Sequence, residues 1–294
     1  MKKILFEGTA TALITPFTKD GVDFEAFDRL LDFQLAGGVD AVVVLGTTGE
    51  PATQTEQEKR DVLAFAVNKL KGELPVIVGA GSNCTATAVE NAKQAQRLGA
   101  DGLLVVTPYY NKCTQQGLVE HFTAISKATT LPIIVYNVPS RTGVNMLPET
   151  FVKIAELDNI VGIKEASGNM AQITHLANIL GDKAVIYSGD DGLTVPIMAL
   201  GGKGVISVAS VVVPKFVAAM TRAYLEGDVA KASGMQERLN PLVDALFEEV
   251  NPIPAKQACA LLGMCQNVLR LPLTPATNTT VERLKIELAK FAEL

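Results

Sequence analysis

One lysine of this sequence stands inside an apolar run, where a charged side chain is unexpected. Lys164 lies in IVGIKEAS, residues 160–167, and of the chain's 18 lysines it alone sits mid-run between apolar neighbours. The period of two along a strand puts Lys164 on one face with Ile160 and Gly162, and turns Glu165 to the other. A buried ammonium without a partner is costly, so its pKa should fall and free the neutral amine, which can condense with a carbonyl group to form a Schiff base. The alternative is a structural lysine that pairs with Glu165 or reaches past the strand end.

A glycine-bounded turn, GTTGE at residues 46–50, follows another apolar run. Its two glycines allow dihedral angles that other residues avoid, which leaves backbone amides and the hydroxyls of Thr47 and Thr48 free to bind an anion such as a carboxylate. A glycine-rich turn between a strand and a helix is as often a matter of geometry alone. The motif by itself leaves both interpretations open.

Two tyrosines and an arginine end further apolar runs. Tyr110 belongs to TPYYN, and Tyr136 and Arg141 belong to YNVPSRTG. The tyrosines could relay protons or orient a substrate, whereas a lone tyrosine is more often a packing residue with a satisfied hydroxyl. Arg141 could clamp a second carboxylate with two hydrogen bonds, and a solvated surface arginine is the alternative.

Other charged residues argue against phosphate and metal chemistry. Asp190 and Asp191 follow the seventh run, in a loop that often binds phosphate in α/β barrels, and their charges would repel a phosphate. The substrates are therefore expected to be unphosphorylated carboxylates. The only histidines, His121 and His175, fall in helical stretches away from the strand ends, so a metal-dependent aldolase would lack its imidazole ligands. We predict no metal and no cofactor.

These candidate residues close strand-like segments that alternate with stretches of helical period. Eight nearly continuous apolar runs start 19 to 35 residues apart, as repeated strand–helix units around a parallel sheet should. The pattern predicts an α/β protein with a (β/α)8 TIM barrel, and a doubly wound sheet is the weaker alternative. In a barrel the carboxyl ends of the strands meet on one rim, where active sites form. The eight runs are residues 9–17, 39–46, 74–81, 100–108, 131–139, 160–167, 183–190 and 202–210.

The predicted helix caps and the C-terminal part are consistent with a barrel. Asp23 is placed to cap a first helix, and Thr55 with Glu58 forms a capping box for a second. After residue 226 only helical periodicity remains. Residues 1–226 are therefore predicted to form the catalytic barrel, and residues 227–294 a helical appendage that covers barrel surface or a subunit contact.

The composition is that of a compact globular protein. The 26 Lys and Arg against 31 Asp and Glu give a net charge of −5, which disfavours a nucleic-acid-binding module. No apolar run reaches the roughly 18 residues of a membrane span, and the apolar stretch in MKKILFEG is too short for a signal peptide. The four cysteines form no CxxC pair, so reduced thiols are expected. We predict a cytoplasmic protein that binds neither nucleic acid nor membrane.

In order and spacing, GTTGE, TPYYN, YNVPSRTG and the GIKEASG segment around Lys164 resemble the dihydrodipicolinate synthase family. The resemblance extends over all eight predicted strands, and each motif stands at a predicted strand end. The wider family includes N-acetylneuraminate lyase and related 2-keto-acid aldolases, which share the fold and the lysine but differ around the arginine. The YNVPSRTG segment favours the synthases.

This resemblance implies a class I aldol condensation of pyruvate with L-aspartate 4-semialdehyde to 4-hydroxy-tetrahydrodipicolinate, on the route to diaminopimelate and lysine. Lys164 would form the Schiff base with pyruvate. Thr47 and Thr48 would hold the pyruvate carboxylate, and Arg141 would hold the carboxylate of the aldehyde.

The resemblance also implies a proton relay and an oligomer. Tyr136 would donate and accept protons, with Thr47 and Tyr110 completing a path to solvent. In the family the tyrosine matching Tyr110 reaches across a dimer interface, so a homo-oligomer is expected, with a tetramer built as a dimer of dimers. Gly189 and the carbonyl of Ile206 would line the pocket.

Some members of the family are inhibited by lysine at the dimer interface, and the matching positions of this chain form a degenerate site. Asn83 and Tyr109 are retained, but sensitive enzymes commonly present a histidine and a glutamate where this chain differs. A cation at Lys59 and a missing carboxylate at Thr87 disfavour a cationic ligand, so weak or absent feedback is expected. The residues of this site are Pro51, which replaces a serine, Ala52, Glu56, Lys59, Asn83, Thr87 and Tyr109.

Two other functions remain open at this point. A sibling aldolase or lyase would join pyruvate to a different aldehyde, such as a sugar acid, and a non-catalytic paralogue would bind a keto acid as a sensor. The sensor is disfavoured because it has no need of Lys164 together with Tyr110 and Tyr136. The same barrel hosts many functions, so the fold alone does not decide between them.

Overall fold

Eight parallel strands close into a barrel at the centre of the protein. The computed structural model describes residue 2 and residues 4–291. Strands that follow one another in the chain are neighbours in the barrel, and the first strand closes the ring by pairing with the last, with Gly8 opposite Gly204. All but β2 and β3 belong to the barrel, and the predicted (β/α)8 fold is confirmed. The strands are β1 (Gly8–Ala12), β2 (Phe17–Thr18), β3 (Gly21–Val22), β4 (Ala41–Val44), β5 (Val76–Gly79), β6 (Gly102–Val106), β7 (Ile133–Asn137), β8 (Ile160–Glu165), β9 (Val185–Ser188) and β10 (Gly204–Ser207).

The barrel strands are buried on both faces, which explains their nearly continuous apolar sequences. Every residue of β4, β7, β8 and β10 is buried, because helices cover the outside and side chains fill the inside. The strand register brings Lys164 of β8 beside Tyr136 of β7 and Tyr187 of β9. The lysine thus shares one level of the barrel with two tyrosines.

Helices connect the strands and form the outer layer. The Asp23 side chain accepts a hydrogen bond from the amide of Ala26, and Thr55 and Glu58 form the predicted capping box. The helices are α1 (Phe24–Gly37), α2 (Glu56–Leu70), α3 (Thr85–Arg97), α4 (Gln115–Lys127), α5 (Pro139–Thr142), α6 (Pro148–Ile154), α7 (Met170–Leu180), α8 (Thr194–Ala199), α9 (Pro214–Leu225), α10 (Val229–Leu246), α11 (Ile253–Leu261) and α12 (Asn278–Ala289).

A short hairpin follows the first barrel strand, where the sequence predicts one longer strand. The apolar run 9–17 leaves the barrel after Ala12, and its last residue, Phe17, pairs with Val22 in an antiparallel ribbon. Pro16 lies between the two parts, and proline cannot donate to a strand ladder. The Phe17 ring is fully buried.

The C-terminal part, described through residue 291, contains three helices and no strand, and the predicted helical character of this part is confirmed. Helix α10 packs against both α9 and α12, and α11 packs against α12. Leu239, Leu242 and Leu246 of α10 are buried and belong to the same apolar core as the barrel. The division into two domains at residue 226 stays a prediction, and residues 292–294 lie outside the described chain. Among the described residues, none of the helices has the length and apolar character to span a membrane.

Candidate active site

Lys164 is buried in the barrel without a carboxylate partner. The residue is 5% exposed, and in the described part of the chain no carboxylate forms an ion pair with its Nζ. That nitrogen lies 4.4 Å from the ring centroid of Tyr136. Burial lowers the pKa of Lys164 from 10.5 to about 8, with the charge of Asp191 opposing the change and that of Arg141 adding to it. A substantial neutral fraction therefore exists near neutral pH.

The carboxylate of Glu165 is held by other groups. Its Oε2 accepts a hydrogen bond from Nδ2 of Asn137 at 3.1 Å, and its Oε1 accepts one from the amide of Ser167 at 2.7 Å. These contacts tie the end of β8 to β7 and to the following loop. Among the described residues, Lys164 and Glu165 therefore do not form the ion pair that was the alternative interpretation.

Gly189 gives the Lys164 side chain room to extend. A Cβ atom at position 189 would lie 2.9 Å from Cγ and 3.0 Å from Cε of Lys164, and 2.8 Å from Cβ of Ala166. Real Cβ atoms do not approach side chains this closely without displacing them. Gly189 is therefore required for the position of the lysine, whatever else it contacts.

A single cavity of about 880 Å³ gathers several of the predicted residues at the carboxyl ends of the strands. Thr47, Tyr110, Tyr136 and Arg141 line it. Lys164 lies directly beside Tyr136 but is not itself among the lining residues. The other predicted substrate-binding residues are not among those that line the cavity: Thr48, Gly189 and Ile206.

The GTTGE turn places its two threonines differently. Residues Thr47–Gly49 form one 3₁₀ turn, which ends at Glu50 in the left-handed region with a φ of 53°. Thr47 faces the cavity, whereas Thr48 is buried and its hydroxyl accepts a hydrogen bond from Nδ2 of Asn251 at 3.0 Å. The turn is thus shaped by contacts from a distant segment as well as by its glycines.

Glu50 makes a buried ion pair that was not predicted from the sequence. Its Oε1 accepts a hydrogen bond from Nζ of Lys256 in α11, and both side chains are fully buried. Its Oε2 accepts from the amide of Arg270 at 3.2 Å. The ammonium of Lys256 and the guanidinium of Arg270 each lie 4.2 Å from the ring centroid of Phe17. Burial lowers the pKa of Lys256, and the charge of Glu50 opposes that change.

Asn251 is a second residue that sequence reasoning missed. It is 5% exposed, lines the cavity, and donates from Nδ2 to the hydroxyl of Thr48. Its backbone carbonyl accepts a hydrogen bond from Nη2 of Arg141 at 3.3 Å. The sequence feature that could have identified Asn251 is NPIP at residues 251–254, where a polar residue and two prolines interrupt a helical pattern.

The remaining cavity residues include a buried and an exposed tyrosine. Tyr136 is 8% exposed, and burial raises its pKa to about 12, with the Arg141 charge opposing the change. Tyr110 is 88% exposed and has a φ of 69°, a conformation that residues other than glycine rarely adopt. Among the described residues, no side-chain hydrogen bond joins Thr47, Tyr110 and Tyr136.

The predicted lysine-site residues are divided between the cavity wall and the beginning of α3. Lys59 forms an ion pair with Glu56 at 2.8 Å. Asn83 accepts a hydrogen bond at its carbonyl from Nδ2 of Asn111, and neither Asn83 nor Thr87 lines the cavity. Those that line it are Pro51, Ala52, Glu56, Lys59 and Tyr109.

The acidic loop and the histidines have structural partners. The Asp191 carboxylate is buried and accepts hydrogen bonds from the hydroxyl of Ser207 and the amides of Val208 and Ala209. His121 is buried in α4, and His175 pairs with Glu149 on the surface. Within residues 4–291 no group of His, Cys, Asp and Glu is arranged to hold a metal ion.

Comparison with known proteins gives a consistent result over nearly the whole chain. The model of the dihydrodipicolinate synthetase family matches residues 5–290. A 4-hydroxy-tetrahydrodipicolinate synthase of Alkaliphilus oremlandii is 52% identical over 97% of this chain and 99% of its own. The crystal structure of dihydrodipicolinate synthase from Thermotoga maritima superposes with a TM-score of 0.97 at 46% identity, covering 99% of this chain and all of that one. A dihydrodipicolinate synthase variant described as monomeric gives the same TM-score and identity, covering 99% of this chain and 98% of its own.

Proposed function

This chain belongs to the dihydrodipicolinate synthetase family of enzymes, and we propose that it joins pyruvate to L-aspartate 4-semialdehyde through a Schiff base on Lys164. Its relatives of about 50% identity are named 4-hydroxy-tetrahydrodipicolinate synthase, which supports 4-hydroxy-tetrahydrodipicolinate as the product. The reaction belongs to lysine and diaminopimelate biosynthesis. Lys164 itself carries the mechanistic part of the proposal.

The observation that supports Lys164 is its burial without a carboxylate. The structure holds a second, more deeply buried lysine, Lys256, but that ammonium is neutralised by Glu50. Lys164 has only an aromatic ring beside its Nζ, and its pKa of about 8 leaves roughly a tenth of the amine neutral at pH 7. At the ordinary pKa of 10.5 that fraction is about a thousandth or less.

The reaction then follows from the chemistry of an imine. The neutral Nζ adds to the keto carbon of pyruvate, water leaves, and the protonated imine draws electrons from the methyl carbon. Loss of a methyl proton gives an enamine, whose carbon attacks the aldehyde carbon of the second substrate while the aldehyde oxygen takes up a proton, and the imine on Lys164 is restored. The amino group of the second substrate then displaces Nζ from that imine, which closes the ring of the product and frees the lysine. Tyr136 lies against Lys164, and a phenol with a pKa near 12 stays protonated at neutral pH, so it is suited to donate protons in these steps.

Two groups of donors suit the two carboxylates. Thr47 faces the cavity beside the backbone amides of its turn, with Thr48 directly behind it, and we assign these threonines to pyruvate. Arg141 lines the same cavity, has no carboxylate partner among the described residues, and is assigned to the aldehyde. Gly189 keeps the lysine extended, and Ile206 lies buried on β10.

We further propose a homo-oligomer, in the form of a tetramer built from two dimers. Tyr110 is an aromatic side chain that is 88% exposed on a backbone with positive φ, at the edge of the cavity. A large exposed ring in a strained turn suits a residue that packs against a second copy and extends the relay from Thr47 and Tyr136. Sedimentation of the purified protein distinguishes this assembly from a monomer such as the described variant.

The activity of the protein should be inhibited by lysine weakly or not at all. Lys59, although paired with Glu56, adds a cation to the cavity wall, and Thr87 supplies no carboxylate.

We also propose that the protein acts in the cytoplasm. Its four cysteines are free thiols, which suits a reducing compartment.

Trapping with borohydride tests the proposed function directly. The protein is incubated with pyruvate, reduced, digested, and analysed by peptide mass spectrometry. We expect one pyruvyl adduct on Lys164, and Lys256 serves as the internal control, because it is also buried but already paired. An unmodified Lys164, or an adduct elsewhere, overturns the mechanism. Comparing the rates with L-aspartate 4-semialdehyde and with a sugar-acid aldehyde then tests the second substrate.

A further inference from the structure

The amide oxygen of Asn251 is a buried acceptor without a donor at the wall of the cavity. Four buried side-chain atoms have no hydrogen-bond partner among the described residues: Oε1 of Gln54, Nε2 of His121, and Oδ1 of Asn251 and of Asn267. Of these four residues only Asn251 lines the cavity. A buried polar atom without a partner is costly, so this one calls for an explanation that the other three do not share.

The other contacts of Asn251 join it to a residue of each proposed substrate site. Its Nδ2 donates to the hydroxyl of Thr48, and its backbone carbonyl accepts from Arg141. The oxygen is the unpartnered end of the amide, because the amide nitrogen already has the hydroxyl of Thr48 as its acceptor. The residue that carries this oxygen is thus hydrogen-bonded through its backbone to the arginine that we assign to the carboxylate of the aldehyde.

The second substrate carries a positive charge that the rest of the cavity does not accommodate. L-Aspartate 4-semialdehyde has an ammonium group on the same carbon as the carboxylate that Arg141 would hold. The carboxylates of the cavity lining are Glu50 and Glu56, and each is already paired with a lysine. The lining cations are Lys59, Arg60, Lys112 and Arg141. An ammonium entering this cavity needs a neutral acceptor that does not compete for Arg141.

We propose that Oδ1 of Asn251 accepts a hydrogen bond from the α-ammonium of the aldehyde substrate, and so selects an amino aldehyde over the same aldehyde without the amino group. This inference rests on the proposed function, because it takes Arg141 as the carboxylate site. An aspartate at position 251 would form an ion pair with the neighbouring arginine, whereas the amide offers an acceptor and leaves the guanidinium free. Asn251 is thus a specificity-determining residue supplied by the C-terminal helical part of the chain.

The test compares two aldehydes that differ only in the amino group. Because only addition to the enamine is common to both aldehydes, we would measure the second-order rate constant with which L-aspartate 4-semialdehyde and succinate semialdehyde each add to the pyruvate adduct of Lys164, in the unaltered protein and in Asn251→Leu and Asn251→Ala. The loss of the bond to Thr48 affects the pyruvate site equally for both aldehydes, so it cancels in the ratio of the two constants. A charged hydrogen bond predicts that the ratio falls roughly ten- to hundredfold in both variants.

Asn267→Leu is the matched control. Asn267 also belongs to the C-terminal part and has an unpartnered amide oxygen, but it does not line the cavity, so its replacement should leave the ratio unchanged. Trapping of the pyruvate adduct on Lys164 verifies that each variant is folded and has a working amine. Equal losses for the two aldehydes, the same change in Asn267→Leu, or an unaltered protein without preference for the amino aldehyde would each overturn the inference. Failure of adduct formation in the unaltered protein would instead contradict the proposed function.

Discussion

Replacing Lys164 by methionine should make the protein more stable while abolishing adduct formation. The pKa of Lys164 lies at about 8 instead of 10.5, so keeping the ammonium charged in the folded state costs about 3 kcal/mol at pH 7. The cation–π contact with the ring of Tyr136, 4.4 Å from Nζ, offsets roughly 1 to 2 kcal/mol of this cost. Methionine is apolar and of similar length, so the net gain expected for Lys164→Met is roughly 1 to 2 kcal/mol.

The pH dependence of this gain has a definite sign. Because the folded-state pKa is the lower one, the unfolded chain binds more protons than the folded protein between about pH 8 and 10.5. The stability of the unaltered protein therefore rises through that range, and the advantage of Lys164→Met shrinks. Urea unfolding at pH 7 and at pH 9, at one protein concentration, measures both the stability gain at pH 7 and its decrease at pH 9. A variant less stable at pH 7, or an advantage that does not narrow at pH 9, would refute the reasoning.

Lys256→Met is the matched control, because it removes the other buried ammonium. This lysine has a carboxylate partner, so its replacement leaves Glu50 buried without compensation, and a loss of about 3 to 5 kcal/mol is expected. The double variant Glu50→Gln, Lys256→Met should recover part of that loss. The same substitution is thus expected to have opposite effects on stability at two buried lysines.

Three further predictions concern the site. Arg141→Ala removes a charge that lowers the pKa of Lys164. The pH at which adduct formation is half-maximal should therefore move upward from about 8, and a midpoint that stays or falls would contradict this. Gly189→Ala should abolish the pyruvate adduct, measured by trapping, because the added Cβ would lie about 3 Å from Cγ and Cε of Lys164; normal labelling would show that the lysine can take another path. Turnover should persist in millimolar lysine, given the cation at Lys59 and the absent carboxylate at Thr87, and half-maximal inhibition below 1 mM in a steady-state assay would refute this.

The sequence predicted the barrel and the buried position of Lys164 in a strand well, because both depend on local patterns. Nearly continuous apolar runs identify strands that are buried on both faces, and a lysine inside such a run is visible without knowledge of its neighbours. The hairpin at Phe17 was missed because it lies within an apolar run, and only the structure reveals that the chain turns at Pro16.

The contacts that shape the GTTGE turn could not be predicted, because they join distant parts of the chain. Glu50 and Lys256 are 206 residues apart, and Thr48 and Asn251 are 203 apart. No periodicity or spacing links such pairs. Composition at residues 251–256 indicated only a break between helices, although that segment reaches the cavity. The strand ends indicated several residues that line the cavity, whereas the partners that hold the GTTGE turn in place could not be predicted from them.

The buried pair of Glu50 and Lys256 also determines when the site is completed during synthesis. At about 5 to 20 residues per second, a ribosome adds Lys256 some 10 to 40 s after Glu50. Until then the acidic end of the GTTGE turn has no counter-ion, and the hydroxyl of Thr48 has no donor from Asn251. A nascent chain can build most of its barrel strands in this interval, yet the contacts that hold its GTTGE turn are not made. The pair therefore delays the mature form of this turn until the C-terminal helices have been made.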